Sequence, residues 1–178
     1  MELIEHAPIL ERHQALFGAQ TQLLQFDLLR QGPNSTFPNR AWHRDFSFPG
    51  ERPLSVNTIL FLDDRTEEVG PPRVVPGSHR GEAMPSRERV HDPSPNEVAL
   101  LAKAGDAVFI NSAIWHSGGR NSGAGLRRGI YLYYGFWWLK RYENDVALPW
   151  QTLDSASQQR LQLLGVKMPN CDLHQYQP

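Results

Sequence analysis

The run LSVNTILFL, residues 54–62, is the feature that most constrains the fold of this chain. Its valine, isoleucine and threonine side chains are branched at Cβ and favour extended backbone. Apolar residues also fall on both faces that such a strand would have, as in strands that are covered on both sides. The run therefore predicts a strand that is buried on both faces or nearly so.

Other short segments also favour strands, and turn-forming residues separate them. Residues 21–29 partly alternate between apolar and polar side chains, and residues 73–75, 107–111 and 127–138 are apolar, β-branched or aromatic. The 14 glycines and 14 prolines are spread along the chain, which is typical of many short elements joined by turns. This order of elements predicts an all-β-dominated sandwich or barrel.

Helical patterns occur only near the two ends of the chain. Residues 8–18 and residues 151–165 predict a few flanking helices, the second with leucines on one helical face. Residues 80–98 are polar and lack a clear period, so we expect a long loop over a site or at one rim. Nothing indicates a second domain, and we expect residues 1–178 to form one domain with a barrel core at about 21–138.

Charge and hydropathy exclude several classes of partner. The 18 lysines and arginines nearly balance the 19 aspartates and glutamates, which gives no reason to expect a nucleic acid or an anionic membrane as partner. No apolar run is long enough to span a bilayer, and the start MELIEHAPIL lacks the pattern of a signal peptide. Cys171 is the only cysteine, so no internal disulfide can form and a reducing, cytoplasmic setting is expected.

The segment AWHRDF, residues 41–46, carries a candidate pair of metal ligands. Residues two apart on a strand point to the same face, so His43 and Asp45 can offer a nitrogen and a carboxylate oxygen to one point. Iron, manganese and zinc accept such ligands, although a third must come from elsewhere. A His-x-Asp arises by chance in roughly one chain in three of this composition, and on the pair alone a solvated turn is the more common explanation.

A second segment, IWHSGGRNSGAGLRRG at residues 114–129, strengthens the metal interpretation. His116 follows a buried-looking strand and a tryptophan, and Arg127 lies 11 residues later at the start of the next strand. If these strands pair across the glycine-rich loop 117–125, Arg127 returns close to His116. A guanidinium inside a barrel requires an anionic partner, and a carboxylate can accept two parallel hydrogen bonds from it. His116 as a core histidine and Arg127 as half of an exposed arginine pair remain the alternatives.

Four segments of the chain, taken together, resemble the motifs of one known family. They are WHRDF at 42–46, LFLDDRTEEVGPPRVVPGSHRG at 60–81, AGDAVFINSAIWHSGGRNS at 104–122 and LRRG at 126–129. They resemble the Trp-His-x-Asp signature, the acidic loop with its Pro-Gly-Ser-His segment, the second histidine, and the cosubstrate arginine of the phytanoyl-CoA dioxygenase family. That family belongs to the Fe(II)/2-oxoglutarate-dependent oxygenases, and the resemblance runs from about residue 21 to residue 138.

The resemblance implies a fold and a site. The fold is a double-stranded β-helix, which is a jelly-roll or cupin-like barrel. By resemblance His43, Asp45 and His116 are the ligands of Fe(II), with 2-oxoglutarate and O2 as cosubstrates. Arg127, and not Arg128, has the family's spacing for the arginine that holds the distal carboxylate of 2-oxoglutarate.

Four further positions bear on the cosubstrate or on the loops around it. The resemblance implies that Asn57 hydrogen-bonds 2-oxoglutarate or substrate, or that it is purely structural, and that Asn121 fixes a loop. Val69 stands where relatives often have asparagine, and Gly118 stands where some relatives place a hydroxyl that touches the cosubstrate. These differences leave the expected metal ligands intact.

The resemblance implies an enzyme that hydroxylates an unactivated C–H bond of a small molecule, consuming O2 and forming succinate and CO2. Related halogenases have a small residue where this chain has Asp45, so the carboxylate argues for hydroxylation over halogenation. Residues 80–98 are expected to be a solvated loop, with a lid over the site as the alternative. The aromatic residues expected to line a pocket or fill the core are Trp42, Phe46, Phe48, Trp115, Tyr131, Tyr133, Phe136 and Trp137.

Two other functions are compatible with the same residues. Many relatives carry a longer N-terminal region, which motivates a cupin-like metal- or ligand-binding protein, or a pseudo-enzyme, without 2-oxoglutarate turnover. The barrel could also hold another metalloenzyme, such as an isomerase or a dioxygenase that needs no cosubstrate. Neither alternative requires Arg127 to meet the carboxylate of 2-oxoglutarate.

Overall fold

The computed structural model describes residues 2–46, 50–81, 83–141 and 153–167. The chain divides into two compact units, one made of residues 1–26 and 132–178 and the other of residues 27–131. None of the helices in these described ranges is both long and apolar enough to cross a membrane. The elements in chain order are α1 (Ala7–Phe17), β1 (Thr21–Gln31), β2 (Ser55–Phe61), β3 (Arg73–Val74), β4 (Val98–Ala99), β5 (Ala107–Asn111), β6 (His116–Ser117), β7 (Arg127–Phe136) and α2 (Gln158–Leu163).

The strands form two sheets, which confirms the expectation of a fold dominated by β-structure. One sheet has four strands in the order β1-β7-β2-β5, and the other has three in the order β4-β3-β6. The described strands do not close into one continuous barrel. Each predicted strand is present within two residues of its expected ends, and only the two-residue strands β4 and β6 were not foreseen.

Strand β2 is buried along nearly its whole length, as its apolar and β-branched sequence predicts. It pairs antiparallel with β5, with Asn57 opposite Ile110 and Ile59 opposite Val108. Ile59, Phe61 and Ile110 join Val74 of the second sheet in one apolar cluster. This cluster gives the unit of residues 27–131 its core and holds the two sheets together.

The three-stranded sheet carries one of the candidate ligands. Strand β3 lies at its centre and pairs antiparallel with β6, so that Val74 lies opposite His116 and Arg73 opposite Ser117. The supposed pairing of the strand at 107–111 with the strand that begins at Arg127 is wrong, because β5 and β7 lie in one sheet on opposite sides of β2. The buried strand β2 pairs with both of them and keeps them apart.

Two glycines allow main chain to pack directly on main chain behind the site. Gly70 has a φ of +76°, which favours glycine, and a Cβ on Gly119 would lie 2.7 Å from the Cα of Gly70. The loop after β6 can therefore lie against the loop before β3 without any side chain between them. This contact requires glycine on both sides.

The unit of residues 1–26 and 132–178 contains both helices. Helix α1 begins with Pro8 in its first turn, ends at Gly18 and buries a face that includes His13 and Phe17. The helix predicted at 151–165 is interrupted: residues 153–154 are helical, and α2 begins anew at Gln158, where the Ser157 hydroxyl accepts a hydrogen bond from the Arg160 amide and caps it. Residues 151–152 of the predicted helix lie outside the described ranges.

Candidate metal centre

His43, Asp45 and His116 lie together, and each offers one ligand atom within 4.8 Å of the other two. The Asp45 Oδ1 atom is 3.4 Å from His116 Nε2 and 3.8 Å from His43 Nε2. The side chains of Asp45 and His116 are 10% and 8% exposed, whereas that of His43 is 52% exposed. The site is therefore closed on one side and open to solvent at His43.

Main-chain hydrogen bonds set the distance between the two histidines. The His43 amide donates to the His116 carbonyl at 3.0 Å, and the His116 amide donates to the His43 carbonyl at 3.0 Å. Asp45 is fixed by its amide, which donates to the Ser112 carbonyl at 2.9 Å. His43 pairs with His116 in an isolated β-bridge and lies in no regular strand. The predicted ligands are therefore brought together by this bridge and not by the alternation of side chains along a strand.

Both imidazoles are oriented by a carbonyl two residues earlier in the chain. His43 Nδ1 lies 2.8 Å from the Ala41 carbonyl oxygen, and His116 Nδ1 lies 3.1 Å from that of Ile114. A carbonyl can only accept, so each Nδ1 carries the proton and each Nε2 presents its lone pair. The two Nε2 atoms and the carboxylate then form the donor set that a divalent transition metal prefers.

The electrostatic environment shifts the pKa values of the two histidines in opposite directions. Burial and the neighbouring charge of His116 lower the pKa of His43. Burial alone would also lower the pKa of His116, but the hydrogen bond to Asp45 and the charge of that carboxylate outweigh it, and the pKa of His116 is raised. Asp45 thus favours the protonated form of His116 in the metal-free protein.

A cavity of about 350 Å³ adjoins the site and has His43 in its wall. Arg127 also lines it, as the sequence predicts for a cosubstrate arginine. A Cβ on Gly118 would lie 3.6 Å from Arg127 Nη2, so the guanidinium approaches the residue that follows β6 although the strands do not pair. Leu29 and Phe37, 50% and 65% exposed, form an apolar part of the same wall.

A second arginine in this cavity, Arg65, was not among the predicted site residues. It lies in the charged segment DDRTEE, which indicates a solvated loop, yet the residue is 2% exposed. The room for it comes from Gly129 on β7, where a Cβ would lie 3.4 Å from Arg65 Nη2. In the sequence, only Gly129, directly after Arg127 and Arg128, could have indicated space for a buried Arg65.

The remaining predicted polar residues take separate positions. Asn57 is buried on β2, on the same strand face as Ile59, and does not line the 350 Å³ cavity. Asn121 fixes its loop as expected, since its amide nitrogen donates to the carbonyls of Gly32 and Gly125. Arg44 donates to the Ser78 carbonyl at 2.6 Å, which keeps it away from the ligand set.

Most of the predicted aromatic residues do not line the cavity. Tyr131 does, whereas Trp42 and Trp115 are packed with Val75 in a separate apolar cluster. That cluster lies under part of the long loop at 80–98, and Trp42 donates to the Asp92 carbonyl. Phe48 lies outside the described residues. The tryptophans that precede the two histidines thus pack under the loop, and His43 lines the cavity.

A sequence model of the phytanoyl-CoA dioxygenase family (PhyH) matches residues 4–129. The chain is 35% identical over 125 residues to L-proline trans-4-hydroxylase of Streptomyces griseoviridis, covering 52% of this chain and 47% of that protein. It is 30% identical over 132 residues to dioxygenase andF of Emericella variicolor, covering 72% of this chain and 42% of that protein. The chain thus spans about half the length of the curated relatives that it matches.

Solved structures show the same fold. HygX from Streptomyces hygroscopicus, with nickel and 2-oxoglutarate bound, superposes with a TM-score of 0.67 at 20% identity, covering 79% of this chain and 66% of that chain. At this identity the likeness shows the fold alone, and the fold is the jelly-roll arrangement that the sequence predicts. The expectation of a cupin-like fold is confirmed.

Proposed function

Because this chain belongs to the phytanoyl-CoA dioxygenase family, we propose that it is an Fe(II)- and 2-oxoglutarate-dependent oxygenase that hydroxylates an unactivated C–H bond of a small molecule. In that reaction the substrate, O2 and 2-oxoglutarate give the hydroxylated substrate, succinate and CO2. One oxygen atom of O2 enters the alcohol and the other enters succinate. The relatives named as a proline hydroxylase and a dioxygenase support this reaction class.

One observation carries the proposal, namely that the three-ligand set opens onto a cavity that contains arginine. The ligand atoms of His43, Asp45 and His116 lie within 4.8 Å of one another, and His43 and Arg127 line the same 350 Å³ cavity. A metal held by His43 and a carboxylate held by Arg127 would then share one cavity. That is the arrangement a 2-oxo diacid needs.

The donor set fits Fe(II). Two imidazole nitrogens and one carboxylate oxygen are the protein ligands of the 2-His-1-carboxylate iron oxygenases, and such a set leaves positions open for other ligands. His43, Asp45 and His116 would hold the ion through Nε2, Oδ1 and Nε2. When bound, the iron supplies the activation of O2 and the oxidation of the 2-oxo acid.

The residues around the ion bind, orient and exclude water. The Ala41 and Ile114 carbonyls hold the Nδ1 protons and keep both Nε2 lone pairs directed at the metal position. Arg127 pairs with the distal carboxylate of 2-oxoglutarate and fixes its direction in the cavity. Leu29 and Phe37 cover the cavity with apolar surface and limit the access of water to the reacting atoms.

Succinate formation tests the proposal. The protein is loaded anaerobically with Fe(II), mixed with 2-oxoglutarate and O2, and assayed for succinate with and without candidate small molecules. The His43→Ala variant loses an iron ligand, and we expect its turnover to fall by at least about 100-fold at equal total iron. The matched control is His6→Ala, which removes an exposed imidazole far along the chain from the ligands.

Full turnover by His43→Ala under metal-controlled conditions would overturn the assignment of His43. A protein that binds metal and 2-oxoglutarate but forms no succinate with any substrate would instead support the cupin-like binding function. Turnover of a substrate without 2-oxoglutarate, unaffected by Arg127→Ala, would support a metalloenzyme of another class.

A further inference from the structure

Arg65 is the largest side chain among the described residues that are fully buried. It lies after the acidic pair Asp63-Asp64 and lines the 350 Å³ cavity together with Arg127 and Tyr131. A buried guanidinium is costly unless its charge and its donors are satisfied. The contacts of Arg65 therefore show whether the protein itself neutralises its charge.

The donors of Arg65 are occupied mainly by main-chain carbonyls. Nη1 donates to the Asp63 carbonyl at 3.1 Å, and Nη2 donates to the Arg128 carbonyl. The guanidinium also lies 4.8 Å from the centre of the Phe61 ring. These contacts hold the side chain in place, but none of them supplies a negative charge.

No described carboxylate forms an ion pair with Arg65 or with Arg127. The nearest acidic side chain in sequence, Asp63, pairs with Arg128 instead, at 2.7 Å. The nitrogen Nε is buried without a hydrogen-bond partner in both Arg65 and Arg127. The cavity thus holds two guanidinium groups whose charges the described part of the protein does not neutralise.

Arg65 remains charged despite its burial. Burial and the neighbouring charge of Arg127 lower the pKa of Arg65 to about 10, which is still well above neutral pH. Two like charges in one enclosed space repel each other, and an anion of charge −2 relieves that repulsion more than an anion of charge −1 does.

We propose that Arg65 is a second determinant of cosubstrate binding, which selects a 2-oxo acid with two carboxylates over one with a single carboxylate. The inference rests on the proposed function, since it concerns the same cavity. Arg65 acts in two ways: its charge adds to that of Arg127, and its hydrogen bond to the Arg128 carbonyl fixes the first residues of β7, from which Arg127 extends. It is a positioning residue and holds no reacting atom.

Direct binding of two matched acids tests the role of Arg65. The probes are 2-oxoglutarate and 2-oxopentanoate, which has the same carbon chain without the distal carboxylate. Calorimetry on the Ni(II)-loaded full chain gives both dissociation constants without turnover. For Arg65→Met we expect the Kd of 2-oxoglutarate to rise about 10- to 100-fold, as for the loss of a charged hydrogen-bonding group. The Kd of 2-oxopentanoate should change less than about threefold.

Two further variants make the result specific. Arg65→Lys restores the charge but not the planar fork, so it should recover part of the preference for 2-oxoglutarate that Arg65→Met loses. Arg80→Met removes an exposed arginine that pairs with Glu51 and does not line the cavity, and it should leave both dissociation constants unchanged. If Arg65→Met does not fold, Arg65→Lys alone tests the inference. We then expect the Kd of 2-oxoglutarate to rise about 3- to 10-fold and that of 2-oxopentanoate to stay the same.

Equal losses for both acids in an Arg65 variant would show a purely structural role and overturn the inference. An unchanged ratio of the two constants would overturn it as well. If the wild type prefers 2-oxoglutarate and Arg127→Met abolishes that preference while Arg65→Met does not, the proposed function stands and only the role of Arg65 fails. If the wild type itself shows no preference, the proposed function fails first.

Discussion

His43 and His116 share one local geometry, in which Nδ1 meets the carbonyl oxygen of the residue two positions earlier. Each imidazole is therefore held by its own segment of main chain and needs no other side chain to fix its tautomer. The two pKa values differ because burial and the charge of His116 lower that of His43, whereas the hydrogen bond to Asp45 outweighs burial and raises that of His116. Asp45 lies closer to His116 than to His43, so its effect on His116 is the larger.

The opposite shifts can be measured in the metal-free protein. We expect His116 to titrate above its ordinary value of about 6.5 and His43 below it, as followed by NMR of the two imidazole rings. The Asp45→Asn variant removes the charge that favours protonated His116, so its pKa should fall while the fold is retained. An unchanged pKa of His116 in that variant would contradict the pairing with Asp45.

The raised pKa of His116 also makes the stability of the metal-free protein depend on pH. The folded state binds the proton more tightly than the unfolded state does, so His116 stabilises the metal-free protein fully below about pH 6.5. That contribution is lost as the pH rises through the raised pKa of the folded state. A metal replaces the proton at the same nitrogen, and metal affinity therefore falls as the pH falls.

At the residue level, the motifs predicted three side chains that the structure brings together, whereas no motif predicted the buried Arg65. His43, Asp45 and His116 could be named from their order and spacing, and the structure brings them together. Arg65 could not, because DDRTEE has the composition of a solvated loop. Whether one arginine of such a loop turns inward depends on the space that Gly129 leaves on another strand.

Among the elements, helix α1 packs with an ionisable residue in its buried face. His13 is fully buried, and its ring stacks on Tyr134 with 4.2 Å between ring centres. Burial lowers the pKa of His13 to about 3, so the histidine is neutral in the folded protein at every moderate pH. The helix thus uses an imidazole as an aromatic core residue.

This burial predicts a pH-dependent loss of stability. The unfolded state takes up a proton on His13 below about pH 6.5, while the folded state resists it until about pH 3, so the free energy of unfolding decreases as the pH falls through that window. At about 1.4 kcal/mol per pKa unit the loss is on the order of 4–5 kcal/mol at most. Denaturant unfolding at a series of pH values measures it.

The variant that isolates this effect is His13→Leu, which keeps an apolar side chain in the buried face of α1. Carboxylates contribute to acid unfolding in both proteins, so the difference between the two pH profiles reports His13. We expect the variant to have the shallower slope between pH 6.5 and 3. The same slope in both proteins would show that His13 is accessible to protons in the folded state.

Strands were more predictable than the pairing between them. β-branched and apolar composition is a local property, and it located β2 and β5 within about one residue of their ends. Pairing depends on contacts between distant residues, which is why the two-residue strands β4 and β6 and the partner of β6 could not be foreseen. The start of α2 is also decided locally, because the Ser157 hydroxyl caps the N-terminus of this helix.

At the scale of the whole molecule, binding of metal and cosubstrate should stabilise the fold. A ligand that binds only the folded state at about 100 times its Kd adds about 2.7 kcal/mol, which corresponds to a rise in Tm of roughly 5–10 °C for a chain of this size. We expect Ni(II) with 2-oxoglutarate to raise the Tm more than either ligand alone. The measurement is thermal unfolding by circular dichroism.

Chelation supplies the control for this experiment. With excess EDTA, 2-oxoglutarate loses the metal that completes its site, and the additional rise in Tm should disappear. Equal Tm values with and without both ligands would show that the site does not form in solution. A rise with 2-oxoglutarate alone would assign the binding to the arginines of the cavity without the metal.

The reciprocal hydrogen bonds between His43 and His116 have a consequence for redesign. Main-chain hydrogen bonds fix the spacing of the histidines. The side chain at position 45 can therefore be replaced without changing that spacing. A library that varies position 45 alone would sample coordination chemistry while the two imidazoles keep their places. Directed evolution at position 45 can therefore change the third metal ligand while the main-chain hydrogen bonds keep both histidines in place.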